Sequence, residues 1–365
     1  MTRSVVIILA RLTHSGIETM MRAIGPEWAG RGWSAHILAT GEEDEGPFAD
    51  EMRAAGYVVH HVPFRRHPGF FLDVWRFFRT QRFDVIHIHC ERANFWFGLL
   101  ATLAGAKVFR TVNNIFRFEG GLRLRRRVQR WLSWRLGVVC TAPGPDVIAH
   151  EMWRFGNPCR QTPYWIDERR FPLVDEAGRA AARAALGCAA GQFVLVSAGR
   201  CHDIKNHAAI IRALPLLPDN VIYLHAGGGP LEAEEWALAQ RLGLDARVRM
   251  LGVVDGIHTV LAAADAFVMP SITEGLGLAA VEAQVMGIPC VLSRVEGLSE
   301  LAPHSRAGEW CGLDAESIAA AVIRLRQKDL GEVRRLALLD AEDARRIYGR
   351  MNGFEGLLTL YGSAG

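Results

Sequence analysis

Two glutamates in the last third of the chain, Glu274 and Glu282, are the strongest candidates for chemistry in this sequence. They lie in the stretch 269–287, which starts at the end of an apolar run typical of a buried strand and continues with apolar residues at helical spacing. The turn between strand and helix contains Gly275 and Gly277. A strand, a glycine-containing turn and a helix start leave free backbone N–H groups that bind anions. The stretch therefore predicts an anion site framed by two carboxylates.

A pair of cations follows another predicted strand. The apolar run 193–198 leads into Gly199-Arg-Cys-His-Asp-Ile-Lys-Asn206, which contains Arg200 and Lys205. Phosphates bind at the carboxyl ends of strands in parallel sheets, where arginine offers a planar fork of donors and lysine a point charge. Such a pair would stabilise the charge that develops on a departing phosphate. The alternative is that both are ordinary surface cations.

Both stretches resemble motifs of the retaining glycosyltransferases with the GT-B fold, in particular those of family 4. Residues 269–289 match the family's E-x7-E motif, with P-S before Glu274 and G-x-G-L-x-x-x-E-A-x-x-x-G-x-P after it. Residues 199–206 match the pattern G-R-x-x-x-x-K-[GN]. The resemblance implies that Glu274 faces the transferred sugar, that Glu282 binds ribose hydroxyls and that the two cations hold the diphosphate. It implies that the further donor-binding positions are the backbones of Gly16, Gly252, Gly275, Leu276, Gly277 and Leu278, and that the catalytic residues are Glu274, Arg200, Lys205 and Asn113.

The sequence departs from the family pattern at three places. Ser15 stands where the G-G-x-E loop before the first helix has its first glycine. Asn113 stands where the family commonly has a histidine that reaches the sugar, and asparagine does not become charged near neutral pH. Either the donor sugar is held differently, or catalysis does not depend on an ionisable group there. Tyr164 and Trp165 replace Asn-Gly in the segment 163–167, which matches P-N-G-[VI]-D at the end of the first domain.

Alternating strands and helices are predicted to position these residues. Short apolar runs alternate with helical patterns from residue 4 to about 155 and again from 193, which predicts parallel sheets covered by helices on both faces. The resemblance implies an α/β protein of the GT-B fold, with two Rossmann-like parallel-sheet domains facing a deep cleft that holds the active site. We place the acceptor domain at 1–166, completed by a C-terminal helix at about 350–365, and the donor domain at 167–349.

The composition is typical of a globular protein with a sizeable core. Of 365 residues, 50% are hydrophobic and 22% charged. No apolar run approaches the roughly 20 residues that cross a bilayer, and the run 4–10 is predicted to be a first strand rather than a signal peptide. The seven cysteines are scattered without C-x-x-C spacing, a pattern typical of reduced thiols rather than of disulfides or a zinc site. We therefore expect a cytoplasmic protein.

The charge is unevenly distributed along the chain. Residues 1–166 carry a net charge of +8 and the remainder −5, which indicates an anionic partner for the first half. A helix predicted near 122–134 would place apolar residues, with Trp131, largely opposite an arginine face. This pattern suits an anionic membrane surface, at the inner face of the plasma membrane. The alternatives are solvated arginines with aromatic residues in the core, or nucleic acid, for which no recognition module is present. The arginines of that face are Arg123, Arg126, Arg127 and Arg130.

The resemblance implies a retaining hexosyltransferase that moves a sugar from a nucleotide-sugar, most simply a UDP- or GDP-sugar, to an acceptor hydroxyl. The basic first half suggests a lipid-linked or glycan acceptor in cell-surface polysaccharide or glycolipid assembly. We expect no cofactor and no bound metal, although His87 and His89 share one face of a predicted strand and offer a metal alternative. The rival functions are a sugar-nucleotide epimerase of the same fold, a phosphorylase, for which no pyridoxal-binding lysine motif is found, and a non-catalytic nucleotide-sugar-binding protein.

Overall fold

The computed structural model describes residues 2–162 and 164–363. Within that part of the chain, two compact units form: one runs to Asp167 and resumes at Arg350, and the other comprises Glu168–Gly349. Each unit is built on its own parallel sheet. Pro163, the first residue of the segment 163–167, lies outside the described residues.

The first unit has a parallel sheet of seven strands among its described residues. The strands are β1 (Arg3–Leu9), β2 (Trp33–Ala39), β3 (Val58–His61), β4 (Val85–Ile88), β5 (Lys107–Thr111), β6 (Val139–Ala142) and β7 (Cys159–Gln161). The helices are α1 (Gly16–Ile24), α2 (Glu27–Gly30), α3 (Ala49–Ala54), α4 (Pro68–Gln81), α5 (Asn94–Leu103), α6 (Gly120–Arg135) and α7 (Pro145–Phe155). The strand order is β3-β2-β1-β4-β5-β6-β7. The chain adds strands on one side of β1 up to β3 and on its other side from β4 onward, so the order of strands reverses at β1, which pairs in parallel with β2 and β4.

The second unit has a parallel sheet of six strands among its described residues. The strands are β8 (Phe193–Ala198), β9 (Val221–Ala226), β10 (Val248–Met250), β11 (Ala266–Met269), β12 (Cys290–Ser293) and β13 (Glu309–Cys311). The helices are α8 (Glu176–Ala185), α9 (His207–Ala213), α10 (Glu232–Arg241), α11 (Ile257–Ala262), α12 (Leu278–Val285), α13 (Ala315–Gln327) and α14 (Leu330–Tyr348). The order β10-β9-β8-β11-β12-β13 reverses at β8, between β9 and β11. Ligands bind at such reversal points, outside the carboxyl ends of the strands.

The last helix, α15 (Arg350–Ser363), returns to the first unit. Phe354 packs edge-on against Trp28, with ring centroids 4.8 Å apart. The Tyr361 hydroxyl hydrogen-bonds His87 Nδ1 of β4 at 2.8 Å. All four side chains are buried, so this late segment is part of the core of the first unit.

The predicted fold class is confirmed: both units are α/β, with Rossmann-like parallel sheets. Strand β8 has the bounds of the predicted run 193–198. Strands β7 and β13 were not predicted, because they are three-residue edge strands with too little alternation to detect. Among the described residues, no helix has both the length and the apolarity required to cross a membrane.

Candidate active site

The two predicted motifs meet where the strand order of the second sheet reverses, at the neighbouring strands β8 and β11. The loop 199–206 follows β8, and the segment 270–277 follows the neighbouring strand β11. The Ile272 amide donates to the Ile204 carbonyl at 2.8 Å, and the Asn206 side chain donates to the Pro270 carbonyl at 3.1 Å. These bonds tie the two loops directly to each other, although they lie about 70 residues apart in the sequence.

Lys205 and Glu274 form an ion pair at this point. Lys205 Nζ lies 2.5 Å from Glu274 Oε1, and the Ser271 hydroxyl donates to the same oxygen at 2.7 Å. Ser271 is fully buried and Glu274 is 8% exposed, whereas the lysine side chain keeps 25% of its surface exposed. Contacts from a cation and a hydroxyl fix the position of this buried carboxylate. The sequence alone indicated no role for Ser271, which follows β11 after Pro270.

The turn after Glu274 presents backbone amides at the start of α12. Gly277 precedes the helix with φ of +80°, a conformation that favours glycine, and a Cβ there would overlap the Leu298 side chain. Leu276 is buried, which anchors the turn. The helix begins at Leu278, so its first amides lack intrahelical acceptors and are available to an anion.

Glu282 lies within α12, one turn beyond its start. Its side chain is half-buried, and burial raises the pKa of its carboxyl to about 8. Among the described residues, no side chain or amide hydrogen-bonds this carboxylate. A desolvated acid without a protein partner is the arrangement expected where a ligand supplies the partner.

Arg200 and Gly252 lie at the same end of the sheet. Arg200 follows β8 in the loop that contains Lys205, and its exposed side chain has no hydrogen-bond or ion-pair partner among the described residues. Gly252 follows β10 with φ of +64°, and its carbonyl accepts from the Gly227 amide at 2.7 Å. A Cβ on Gly227 would overlap the Gly199 carbonyl, so close backbone packing shapes this edge.

In the first unit, Gly16 and Asn113 also follow strands. Gly16 is the first residue of α1, after β1, where that sheet reverses. Asn113 follows β5, and its amide oxygen accepts from the Tyr164 hydroxyl at 2.6 Å while its amide nitrogen donates to the His89 carbonyl at 2.5 Å. Two departures from the family pattern, Asn113 and Tyr164, are therefore hydrogen-bonded to each other. The predicted contacts of Gly16 and Asn113 with a donor stay predictions.

The metal alternative at His87 and His89 has little support in the contacts. Both His87 nitrogens are occupied, Nδ1 by Tyr361 and Nε2 by the Thr111 hydroxyl at 2.7 Å. Burial, with His89 nearby, lowers the pKa of His87 well below its usual value. His89 lies beside it, with its ring centroid 4.2 Å away, and its Nδ1 is 3.3 Å from Asn113 Oδ1. Hydrogen bonds within the first unit therefore occupy both nitrogens of the His87 ring and leave neither for a metal ion.

The prediction that four arginines of α6 share one exposed face is wrong for two of them. Arg130 is 3% exposed and makes a two-pronged ion pair with Glu151 of α7, at 2.7 and 3.0 Å. Arg126 is half-buried, 3.7 Å from Glu91. The buried Glu151 and the half-buried Glu91, on neighbouring segments, draw these two guanidinium groups inward. Arg123 and Arg127 are exposed, as predicted.

The helix α6 consequently turns its apolar residues to solvent. We call this surface the α6 apolar face, and its exposed fractions range from 47% to 66%. The predicted alternative of aromatic residues in the core is wrong for both tryptophans of this helix. The residues of the α6 apolar face are Leu124, Val128, Trp131 and Trp134.

Known proteins similar to this chain are glycosyltransferases. Residues 15–142 match the family model described as glycosyl transferase 4-like domain, and residues 192–328 match glycosyl transferases group 1. A D-inositol 3-phosphate glycosyltransferase of Saccharomonospora viridis is 35% identical over 96% of this chain and 89% of that protein. The UDP-Gal:alpha-D-GlcNAc-diphosphoundecaprenol alpha-1,3-galactosyltransferase of Escherichia coli is 26% identical over 70% of this chain and 69% of that protein.

Among solved structures, Anabaena Alr3699/HepE in complex with UDP and glucose has a TM-score of 0.87 at 18% identity, over 99% of this chain and 100% of that one. At that identity the likeness concerns the fold. The relative from Saccharomonospora carries the relationship further, because it is aligned over nearly all of both chains. Together with the two family models, it shows that this chain is a transferase belonging to the GT-B glycosyltransferase superfamily.

Proposed function

We propose that the protein transfers a sugar from a nucleoside diphosphate sugar to an acceptor hydroxyl with retention of the anomeric configuration. The observation that carries this proposal is the Lys205–Glu274 ion pair at the strand reversal, beside the free amides at the start of α12. This arrangement offers positive charge for a diphosphate and a fixed carboxylate for sugar hydroxyls within one small region. The solved relative with UDP and glucose bound has the same fold.

In this proposal the donor separates the ion pair. The diphosphate takes up Lys205, Arg200 and the amides of the turn 275–278, while Glu274 accepts hydrogen bonds from the sugar. Glu282, which has no hydrogen-bond partner among the described residues, accepts from the ribose hydroxyls. As the bond from sugar to phosphate breaks, negative charge grows on the departing diphosphate, and the two cations stabilise it.

The departing phosphate oxygen also serves as the base in this scheme. It takes the proton of the acceptor hydroxyl as the new glycosidic bond forms on the same face of the sugar, so atoms and charge balance without a protein base. Asn113 is uncharged and tied to Tyr164 and His89, which fits a mechanism that needs no ionisable group there. The donor is a UDP- or GDP-sugar in this proposal, and no cofactor takes part.

The test compares two lysines that make similar ion pairs in the same unit. Lys205→Met removes the proposed phosphate contact, and Lys328→Met removes an ion pair to Glu309 of 2.7 Å that lies on another part of the sheet. Thermal shift and calorimetry with UDP-, GDP- and ADP-sugars measure donor binding. We expect Lys205→Met to weaken binding by about 10- to 100-fold, as for loss of a charge-assisted contact, and Lys328→Met to leave it unchanged.

Product analysis separates the proposed transfer from its rivals. Incubation of the wild type with the donor that binds and a panel of acceptors is followed by proton NMR of the anomeric signal. An α-linked product from an α-linked donor supports retention. If the donor sugar isomerises in the absence of an acceptor, the protein is an epimerase. If the donor binds but is not turned over, the protein is a non-catalytic nucleotide-sugar-binding protein. If no nucleotide-sugar binds, the proposal fails at its first step.

We further propose that the acceptor is carried by a lipid, in cell-surface polysaccharide or glycolipid assembly, and that the α6 apolar face contacts the membrane. The exposed Arg123 and Arg127 lie on the same helix and suit anionic headgroups. The Escherichia coli relative is named for an acceptor joined to diphosphoundecaprenol.

Vesicle sedimentation tests this placement with a matched pair of tryptophans. Trp131 of α6 is 52% exposed and Trp153 of α7 is 77% exposed. With vesicles containing an anionic phospholipid at low salt, Trp131→Ala is expected to lower binding by roughly tenfold, the value of one large aromatic side chain. Trp153→Ala leaves binding unchanged. Equal losses, or a wild type that stays in the supernatant, would contradict the membrane contact.

A further inference from the structure

We propose that Cys201, His207, His225 and Glu235 form a binding site for a transition-metal ion of the Zn²⁺ class. All four residues are buried. One ligand atom from each lies within 4.8 Å of the other three. A thiolate, two imidazoles and a carboxylate are the donor types that Zn²⁺ prefers, in the number that fills a tetrahedral site.

The topology of the second unit assembles these residues from separate segments. Cys201 follows β8, and His225 is the last residue but one of the adjacent strand β9. His207 begins α9 and Glu235 lies in the first turn of α10, so two helices close the site from the side. Helix α9 packs on α10. No spacing motif could reveal the site, since its members span 35 positions in four segments.

The distances suit a metal after small adjustments. Cys201 Sγ lies 3.2 Å from His225 Nε2, and His207 Nδ1 lies 3.3 Å from Glu235 Oε1. Zn–N and Zn–O bonds of about 2.0–2.2 Å and Zn–S bonds of about 2.3 Å place neighbouring ligands of a tetrahedral ion roughly 3.3–3.7 Å apart. The pairs on either side of the site are therefore already near the required separation.

Two buried atoms in the site lack partners, which points to a ligand. His207 Nδ1 and Glu235 Oε2 are inaccessible to solvent and form no hydrogen bond within the described structure, despite the short approach of these side chains. Leaving such buried polar groups unpaired destabilises the folded protein. A cation between them would satisfy both.

His225 also has the supporting contact that metal-binding histidines show. Its Nδ1 lies 2.7 Å from the Ser197 hydroxyl, while its Nε2 faces Cys201. A hydrogen bond from Nδ1–H to Ser197 fixes the tautomer whose Nε2 lone pair points into the site. A surface cavity of about 220 Å³, lined in part by His207 and Glu235, lies beside the site.

A second group of similar composition does not share these properties. Cys140, Glu151 and Cys159 also approach one another in the first unit. Glu151, however, accepts two bonds from Arg130 and one from Asn157, so its oxygens are occupied. That group also offers three ligands rather than four. The Glu151 group is therefore a polar cluster whose carboxylate is already hydrogen-bonded, whereas the Cys201 group contains unpaired ligand atoms.

The proposed ion has a structural role, because four protein ligands leave no position for substrate. Binding replaces the Cys201 thiol proton, which passes to solvent as the sulfur–metal bond forms. The ion would join the ends of β8 and β9 to α9 and α10. It would thereby fix the loop 199–206, which contains Arg200 and Lys205, at two points. Cys201 lies near the start of this loop, and His207 follows its end.

Cobalt substitution tests the site without reference to activity. The protein is treated with a chelator and titrated with Co²⁺, and the absorption spectrum is recorded. We expect a thiolate-to-cobalt charge-transfer band and the intense visible bands of a tetrahedral ion. Zn²⁺ should displace the cobalt and raise the thermal midpoint by roughly 5–10 °C at a hundredfold excess over its Kd. Elemental analysis of protein grown with zinc should show retained metal.

A matched pair of buried cysteines provides the control. Cys201→Ala is expected to abolish the charge-transfer band and the zinc-dependent shift, whereas Cys290→Ala, at a site as deeply buried on β12, preserves both. His207→Gln retains the thiolate and should weaken binding by at least tenfold, which covers the case in which Cys201→Ala does not fold. A wild type that gives no thiolate–cobalt band, or a band that survives in Cys201→Ala, would overturn the proposal.

Discussion

Replacing Glu282 by glutamine should make the protein more stable and, at the same time, a weaker nucleotide binder. Burial raises the pKa of this carboxyl from its ordinary 4.5 to about 8. Because the folded-state pKa lies above the unfolded value, the native state holds the proton more tightly, so stability falls as pH rises from about 4.5 to about 8. The shift corresponds to at most about 5 kcal/mol. Partial exposure of the side chain reduces this to about 2–3 kcal/mol.

Glutamine removes the cost of ionising this position. At pH 8.5, Glu282→Gln should therefore exceed the wild type by about 2–3 kcal/mol, or roughly 4–10 °C in thermal midpoint, whereas at pH 4.5 the two should coincide. Glu316→Gln, on the exposed surface of α13, is the control and should show no comparable gain. Unfolding followed by tryptophan fluorescence at both pH values measures the difference.

Donor binding should change in the opposite direction. If ribose hydroxyls donate to the ionised Glu282, the ratio of wild-type to Glu282→Gln affinity rises about tenfold per pH unit below pH 8 and then levels off. Calorimetry with one nucleotide from pH 6 to pH 9 measures this ratio, in which the titration of the nucleotide itself cancels. A ratio that is flat with pH would refute the role of the carboxylate, and equal stability at pH 8.5 would refute the burial argument.

Two further substitutions test other parts of the structure. Arg130→Met leaves the buried Glu151 without its cation and should destabilise the protein by about 3–5 kcal/mol in chemical unfolding; Arg127→Met, on the exposed side of the same helix, should change stability by less than about 0.5 kcal/mol. Gly277→Ala forces a side chain into a left-handed conformation and against Leu298, so we expect a loss of about 1–2 kcal/mol together with weaker nucleotide binding; unchanged binding would show that the turn does not contact the ligand.

The Lys205–Glu274 pairing follows from sequence and topology together. The two residues come after strands that the sequence predicts. Those strands, β8 and β11, are neighbours in a parallel sheet whose strand order reverses at β8, so the loops that follow them lie at the same edge. The sequence motif supplied the residues, and the general rule for such sheets supplied the location. Ser271 was missed because a single serine after a strand carries no specific signal of its own.

The orientation of α6 could not be predicted from its sequence. A helical wheel separates an arginine side from an apolar side but does not state which side meets the protein. Glu151, on α7, and Glu91, before α5, supply the charges that bury Arg130 and Arg126. Those acids lie too far along the chain to be connected with the helix by spacing. The same reason hid the hydrogen bond from Tyr164 to Asn113, across 51 positions.

The return of α15 to the first unit affects how the protein can be made. During translation, the sheet β1–β7 emerges from the ribosome well before Phe354 and Tyr361 exist, and the whole second unit is synthesised in between. Until then Trp28 and His87 lack the partners that bury them. The nascent first unit must therefore remain incomplete, with an apolar surface open to chaperones, while the second unit folds as one continuous segment.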